Sequence, residues 1–295
     1  MLTRTTRRLY KEAFERFWAW VGRPPPAYIQ SIRAYDTLLA EYIARAWTHG
    51  LTRGEAGNAL SASVNAFPDL RGRGRLTESW HLLSAWARLE VPCRAPPLPS
   101  IAVLGMVWYF CSIRHYELAF LVSAAYDGFL RTREMLSLTW NDVQVNRGSG
   151  VISLAHTKSG QICAAYGASV MLDKMVPCLY LRAKAARPSG TSDDCCIFPA
   201  SESEFYRLFN AALETLGLSD FGFRPYSLRR GGATAYYRRC RDMQATIDRG
   251  RWSSARVARI YINDGLAKEV ELKLPDGVTA GLEERACALR EALMK

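Results

Sequence analysis

The stretch Gly250–Asp264, GRWSSARVARIYIND, places Tyr261 nine residues after Trp252, with Arg251, Arg256 and Arg259 around the two rings. It admits two readings. Tyr261 is either a core residue of an ordinary amphipathic helix, or a nucleophile whose arginines belong to a phosphate pocket assembled from distant parts of the chain. The choice decides the fold, because only the second requires matching residues elsewhere in a fixed order.

The chain has 295 residues, of which 49% are hydrophobic, enough for about two domains with real cores. Its formal net charge of +11, from 39 Lys plus Arg against 28 Asp plus Glu, calls for a polyanionic partner. A membrane role is disfavoured, since the longest apolar stretch, Ile101–Cys111, is far short of the roughly 20 residues of a spanning helix. The start, MLTRTTRRLYKEAFERFW, mixes acids with bases and has no apolar signal core, so the expected location is intracellular, and nuclear in a eukaryote. Eight scattered cysteines without a CxxC pair read as reduced thiols rather than a disulfide frame or a zinc site. No metal and no other cofactor is expected.

Helical periodicity fills residues 1–95, in YKEAFERFWAWVG, YIQSIRAYDTLLAEYIARAW, TRGEAGNALSASVNAFPDL and LTESWHLLSAWARLE. VPCRAPPLPS, residues 91–100, carries four of the thirteen prolines and reads as a linker. Two buried helices follow up to the Asp127-Gly128 turn. The short β-favouring runs of VQVNRGSGVISLAHTKSGQICAAYG then predict a small antiparallel sheet set among helices. The expected fold is mainly α with that sheet (α+β), in two domains: 1–95, helical, and a larger one over 101–270. The tail, 271–295, reads as a detached amphipathic helix with Leu282, Ala286, Leu289 and Leu293 on one side. Its plain reading is a helix packed on its own domain.

Between Arg224 and Arg259 stand ten arginines, no lysine and two acids, Asp242 and Asp248. Guanidinium in preference to ammonium suits forked contacts with phosphate oxygens, although a solvated basic face gives the same count. In PYSLRRGGATAYY, Ser227 is a candidate N-cap, which puts Arg229 in the first turn of a helix, where free N–H groups favour an anion. YDGFLRTREMLSLTW offers Arg131 and Glu134, and AHTKSGQ offers Lys158 at a hairpin tip. Each of these is weak alone.

Their order resembles the tyrosine recombinase (phage integrase) family over most of residues 101–265. RTRE supplies Arg131 and Glu134, TKSG supplies Lys158, YSLR supplies Tyr226 and Arg229, and Trp252 precedes Tyr261 by nine residues. The resemblance implies DNA strand exchange without metal or ATP. Arg131 and Arg229 would clamp a phosphodiester, Tyr261 would attack phosphorus to give a 3′-phosphotyrosyl link, and Lys158 would protonate the leaving oxygen. It also implies double-stranded DNA as partner, a C-shaped clamp in which 1–95 is the DNA-binding domain and 101–270 the catalytic one, a homotetramer on paired sites, and a tail, 271–295, that docks on a neighbouring protomer as readily as on its own domain. Arg230, Arg251 and Arg256 are expected as DNA contacts, with Arg7 and Arg8 joining from the N-terminal helices.

One position departs from the family pattern: Tyr226 stands where histidine is usual, and a free phenol with a pKa near 10 is a poor proton exchanger at neutral pH. Three readings stay open. Tyr226 only hydrogen-bonds the phosphate, or proton transfer falls to another group, or the chain is a degenerate copy that binds DNA without cleaving it. As a function, relaxation of supercoils in the manner of a type IB topoisomerase stands beside strand exchange.

Overall fold

The computed structural model describes residues 3–72, 74–90, 94–146, 148–154, 168–173 and 175–294. The chain falls into two compact units, 1–93 and 94–295.

The first unit holds α1 (Arg4–Val21), α2 (Ile32–Thr48), α3 (Arg53–Ala66) and α4 (Thr77–Leu89). Each matches one of the apolar-periodic segments, and each buries its apolar side around Phe17, Leu39, Ile43 and Leu60. Phe17 meets the rings of Trp18, Trp20, Tyr35 and Tyr42. Helix α4 has no capping side chain of its own. Buried Asp36 of α2 substitutes, accepting from the N–H groups of Glu78 (2.9 Å) and Ser79 (3.0 Å), which satisfies donors that would otherwise be orphaned. Along α1, Arg4, Arg7, Arg8 and Lys11 recur at three- and four-residue spacing and are all exposed.

The second unit is built around α5 (Ser100–Ser112) and α6 (Tyr116–Asp127). These are apolar on nearly every side, as a central helix must be; every residue from Leu118 to Ala125 is buried. Then come α7 (Thr132–Leu136) and the sheet β1 (Val143–Asn146), β2 (Ser149–Leu154) and β3 (Ala168–Leu172), antiparallel in the order β1-β2-β3. Val143 pairs with Ile152, and Ile152 with Val170, so one apolar face meets the helices. Lys158, expected between β2 and β3, lies outside the described residues. The remaining helices are α8 (Met175–Ala186), α9 (Glu202–Thr215), α10 (Pro225–Cys240), α11 (Met243–Gly250), α12 (Ala255–Ala258), α13 (Asp264–Lys273) and α14 (Asp276–Met294). No described helix is long and apolar enough to cross a membrane.

Two expectations change here. Helix α10 starts at Pro225, with Arg224 as its cap residue; Ser227 sits inside the first turn, where its buried hydroxyl accepts the Arg224 N–H at 3.1 Å. Arg229 therefore stands in the second turn, and its guanidinium, not the helix terminus, is what it brings to a site. The tail is not detached: α14 packs on α5 of the same chain, burying Leu282, Ala286 and Leu289, with Arg285 5.3 Å above the Trp108 ring.

Helix α10 comes very close to α6 and to the segment before α5 because Gly231 and Gly232 have no side chains. A Cβ at Gly232 would stand 1.9 Å from the Tyr126 carbonyl oxygen, and one at Gly231 2.1 Å from that of Leu98. Backbone cannot yield as a side chain tip does. Gly232→Ala is expected to destabilise the protein by at least ~3 kcal/mol, the upper part of the overpacking range. Gly277→Ala, where a Cβ meets nothing within 4 Å, should gain up to about 1 kcal/mol from helix propensity. Urea unfolding of both variants checks the pair, and equal midpoints would refute the close approach.

Candidate active site

The site begins at the corner between α6 and α7. Gly128 caps α6, its N–H reaching the Ala124 oxygen at 2.8 Å. Phe129 then adopts a left-handed conformation (φ 48°) that is uncommon for a bulky residue. That kink turns two successive carbonyls towards incoming arginines. Arg229 Nη1 donates to the Phe129 oxygen, Arg251 Nη2 donates to the same oxygen at 3.2 Å, and Arg251 Nη1 donates to the Gly128 oxygen at 3.2 Å. Arg229 Nη2 also donates to the Gly250 oxygen at 3.0 Å.

Arg131 caps α7, and Glu134 in its first turn is almost fully buried. The Glu134 carboxylate accepts from the Arg131 N–H (2.9 Å), from Arg131 Nη1 and from Arg251 Nη2 (3.1 Å), and lies 3.7 Å from Arg229 Nη1. Burial alone would raise its pKa; the Arg131 N–H and the charges of Arg251 and Arg131 more than reverse this and hold it below the usual carboxylate value. On the arginines burial acts the other way. It lowers Arg251 to about 10, with Glu134 opposing, and it lowers Arg229, helped by the charge of Arg131.

The aromatic half comes from the stretch after α11. Arg251 ends that helix in a left-handed conformation (φ 56°), and Trp252 turns inward. The indole stacks on Phe129 at 6.0 Å on one side and on Tyr261 at 4.7 Å and 21° on the other. Nine residues separate Trp252 from Tyr261 because the chain needs a loop and the single turn of α12, capped by Ser254, to bring one ring back over the other. The Arg229 guanidinium, itself fully buried, lies beside this stacked pair, 5.0 Å from the Tyr261 ring centre and 5.3 Å from that of Trp252, a cation–π contact with both rings. Thr234 of α10 ties down the backbone beside the tyrosine, donating to the Tyr261 oxygen (3.4 Å) and accepting from the Asn263 N–H (3.2 Å). Tyr226, exposed at the start of α10, places its ring 5.8 Å from Tyr261. Burial first, then interaction with Tyr261, pushes its phenol well above its ordinary pKa.

Of the residues singled out in the sequence, Arg131, Glu134, Tyr226, Arg229, Trp252 and Tyr261 converge here. Arg256 is exposed on α12, and Arg7 and Arg8 are exposed on α1 of the other unit. Of the other expected DNA contacts, Arg230 is buried and Arg251 largely so, and both are engaged within the protein. Arg251 braces Glu134 and the Gly128–Phe129 corner, and Arg230 donates to the Ala95 oxygen. The arginine run is thus half internal: Arg238 pairs with Asp264 and Glu271, and Arg249 with Asp127 at 2.7 Å, while Arg224, Arg239, Arg241, Arg256 and Arg259 face solvent. Phe129 and Thr234 carry no sequence signal beyond an Asp-Gly turn and a buried helix face. Among the described residues Trp252 Nε1, Arg229 Nε and Arg251 Nε are buried donors without an acceptor, a costly state in a closed core.

A profile of the phage integrase family matches residues 109–266. Comparison with curated proteins finds no match. Among solved structures, a lambda integrase (75–356) dimer bound to a COC′ core site superposes with a TM-score of 0.59 at 16% identity, covering 90% of each chain. The Tn1549 transposon integrase in complex with transposon right end DNA gives 0.56 at 12% identity, over 92% of this chain and 94% of that one. The XerH site-specific recombinase bound to its difH substrate gives 0.53 at 15% identity, over 81% and 70%. With more than half of its length matched by the family profile, and with the mainly helical fold of these structures, the chain belongs to the phage integrase family, the tyrosine recombinases.

Proposed function

We propose that the protein exchanges DNA strands as a site-specific recombinase or mobile-element integrase, through a covalent 3′-phosphotyrosyl intermediate. The observation that carries this reading is the convergence of three separate stretches, 131–134, 226–229 and 252–261, which gathers arginine and indole donors around the Tyr261 ring. In-line attack on a phosphodiester builds negative charge on its oxygens, so fixed cations and donors are what accelerate it. Arg131, half-exposed, and Arg229, behind the tyrosine ring, supply the charge. Trp252 Nε1 and Arg229 Nε are donors in want of an acceptor.

Tyr261 attacks phosphorus as its phenolic proton passes to solvent water, the bond to the 5′ oxygen breaks, and that oxygen takes a proton from Lys158, the role the family pattern gives it. Because the Tyr261 ring covers Arg229 in the free chain, it must tilt aside as the phosphate enters. The raised pKa of Tyr226 keeps its phenol protonated at neutral pH. This fits a hydrogen-bond donor to the phosphate or to the Tyr261 oxygen, not a proton acceptor. The exposed strip Arg4, Arg7, Arg8 and Lys11, together with Arg256, would bind backbone phosphates without reading sequence. The lambda integrase tetramer bound to a Holliday junction, similar in fold (TM-score 0.60, 16% identity, 90% of this chain and 73% of that one), supports a tetramer on paired sites.

The test is a suicide DNA nicked beside a candidate site, labelled on the 5′ side of the scissile phosphate and incubated in EDTA. Wild-type protein should form a denaturation-resistant adduct, Tyr261→Phe none, and Tyr226→Phe a slower but detectable amount. An adduct that depends on Tyr226 instead would reassign the nucleophile. Bound but uncleaved DNA would leave a binding protein, and relaxation of plasmid lacking any site would indicate a topoisomerase.

A further inference from the structure

The ten residues between α1 and α2 contain Arg23-Pro24-Pro25-Pro26-Ala27-Tyr28, and none of the recombination chemistry uses them. All six are exposed, and Tyr28 is 66% exposed, in a unit whose other aromatic rings are largely packed together. The segment lies in no helix or strand, yet both of its ends are fixed. Gly22, left-handed (φ 76°), closes α1 with its N–H on the Trp18 oxygen at 3.1 Å, and the Ser31 hydroxyl caps α2, accepting from the Ala34 N–H at 3.3 Å. Trp18, Pro24, Pro26 and Tyr28 line one hollow of about 320 Å³, and Trp18, Pro24 and Pro25 line a second of about 530 Å³. The exposed prolines thus form a ridge bordered by hollows.

Three consecutive prolines fix φ, and each also biases the residue before it to the extended region, which together favour a polyproline II helix. That helix has three residues per turn. Continued through Ala27, it sets Pro25 and Tyr28 one above the other on a single edge, with Pro26 beside them, whereas the edge of Pro24 carries only Ala27 at the next turn. Prolines donate no N–H, so their carbonyls are free to accept from Trp or Tyr donors in a groove, and their preset φ keeps the entropic cost of docking low. Modules that read two prolines three apart find no second proline on either edge. A module with one aromatic slot for proline and one for tyrosine finds both.

We infer that this ridge is a docking site for a partner carrying an aromatic-lined groove of the WW type, which reads Pro25, Pro26 and Tyr28 as a Pro-Pro-x-Tyr ligand. The chain bends at Ala27 and Tyr28 in the free protein, so docking straightens these two residues and leaves the helices unchanged. The site is independent of the strand-exchange reading and survives if that reading fails.

The test titrates the full-length protein with a purified WW module that reads Pro-Pro-x-Tyr, by calorimetry at 50 and 300 mM salt. Saturable one-to-one binding is expected, weakened about tenfold or more by Tyr28→Ala and by Pro25→Ala and changed little by salt. An SH3 module that reads proline pairs should bind no better than the Tyr28→Ala background. Both variants replace exposed side chains, so unchanged thermal unfolding would confirm that they fold. Equal binding of wild type and Tyr28→Ala, or binding that vanishes at the higher salt as expected for adhesion to a protein of net charge +11, overturns the inference.

Discussion

Glu134→Gln is expected to destabilise the second unit by about 3–5 kcal/mol and to abolish cleavage, although the change removes a charge and hardly alters shape. The carboxylate lies among three guanidiniums, those of Arg131, Arg229 and Arg251. Removing it leaves like charges packed together around a nearly closed site, and an amide supplies one acceptor oxygen where two are in use. The pH dependence follows from the direction of its shift. Because the folded pKa of Glu134 lies below its unfolded value of about 4.3, its contribution is complete above that value and is lost as pH falls through the folded pKa. Wild-type protein should therefore weaken steeply below about pH 4. Glu134→Gln, already weak at pH 7, should lose correspondingly less over the same interval. Urea midpoints from pH 7 to pH 3 measure both. A variant as stable as wild type at pH 7 would show that the carboxylate is a replaceable cap of α7 and not the centre of the arginine cluster.

The contrast between Glu134 and its neighbours shows what the sequence can carry. The mainly helical chain with its small sheet is legible because apolar residues at three- and four-residue spacing, Gly-Ser-Gly turns and a proline cluster act locally. The pairing of Trp252 with Tyr261 is legible because a loop and one helical turn bring one ring back over the other at a fixed chain length. Phe129 is not. Its left-handed backbone is imposed by the arginines that pull on its carbonyl and by the indole that covers its ring, and these come from about a hundred residues further along the chain. The arginine run is misleading for the same reason. Arg229 and Arg230 look in sequence like Arg224 and Arg239, but burial is decided by which side of α10 faces α6 and the segment before α5, and two glycines that allow backbone contact fix that side; Arg251 is drawn inward separately, by Glu134 and the Gly128–Phe129 corner. Ser227 was the natural cap by residue type, yet Pro225, with its preset φ, starts the helix earlier and takes the serine into the first turn.

Arg229→Lys should separate the arginine that acts on the phosphate from those that hold DNA. Lysine keeps the positive charge but not the planar fork. It cannot reach the Phe129 and Gly250 oxygens together, and a tetrahedral ammonium gives the Trp252 and Tyr261 rings no flat face to lie against. With no surface exposed in the free chain, Arg229 adds little to the field that attracts the duplex; its contribution comes when charge develops on the phosphate. The rate of adduct formation on the suicide substrate is expected to fall about 10²- to 10³-fold, and equilibrium affinity for the same DNA by less than about tenfold. Arg256→Ala, on the exposed face of α12, should do the reverse: nearly the wild-type rate once DNA is saturating, weaker binding, and a shallower dependence on salt by about one ion. Single-turnover cleavage and fluorescence anisotropy, each run at several salt concentrations, give all four numbers. If affinity and rate fall together in Arg229→Lys, the arginine holds DNA equally in ground and transition states. If neither changes, the cation–π contact is packing, and Arg131 is left as the arginine that acts on the phosphate.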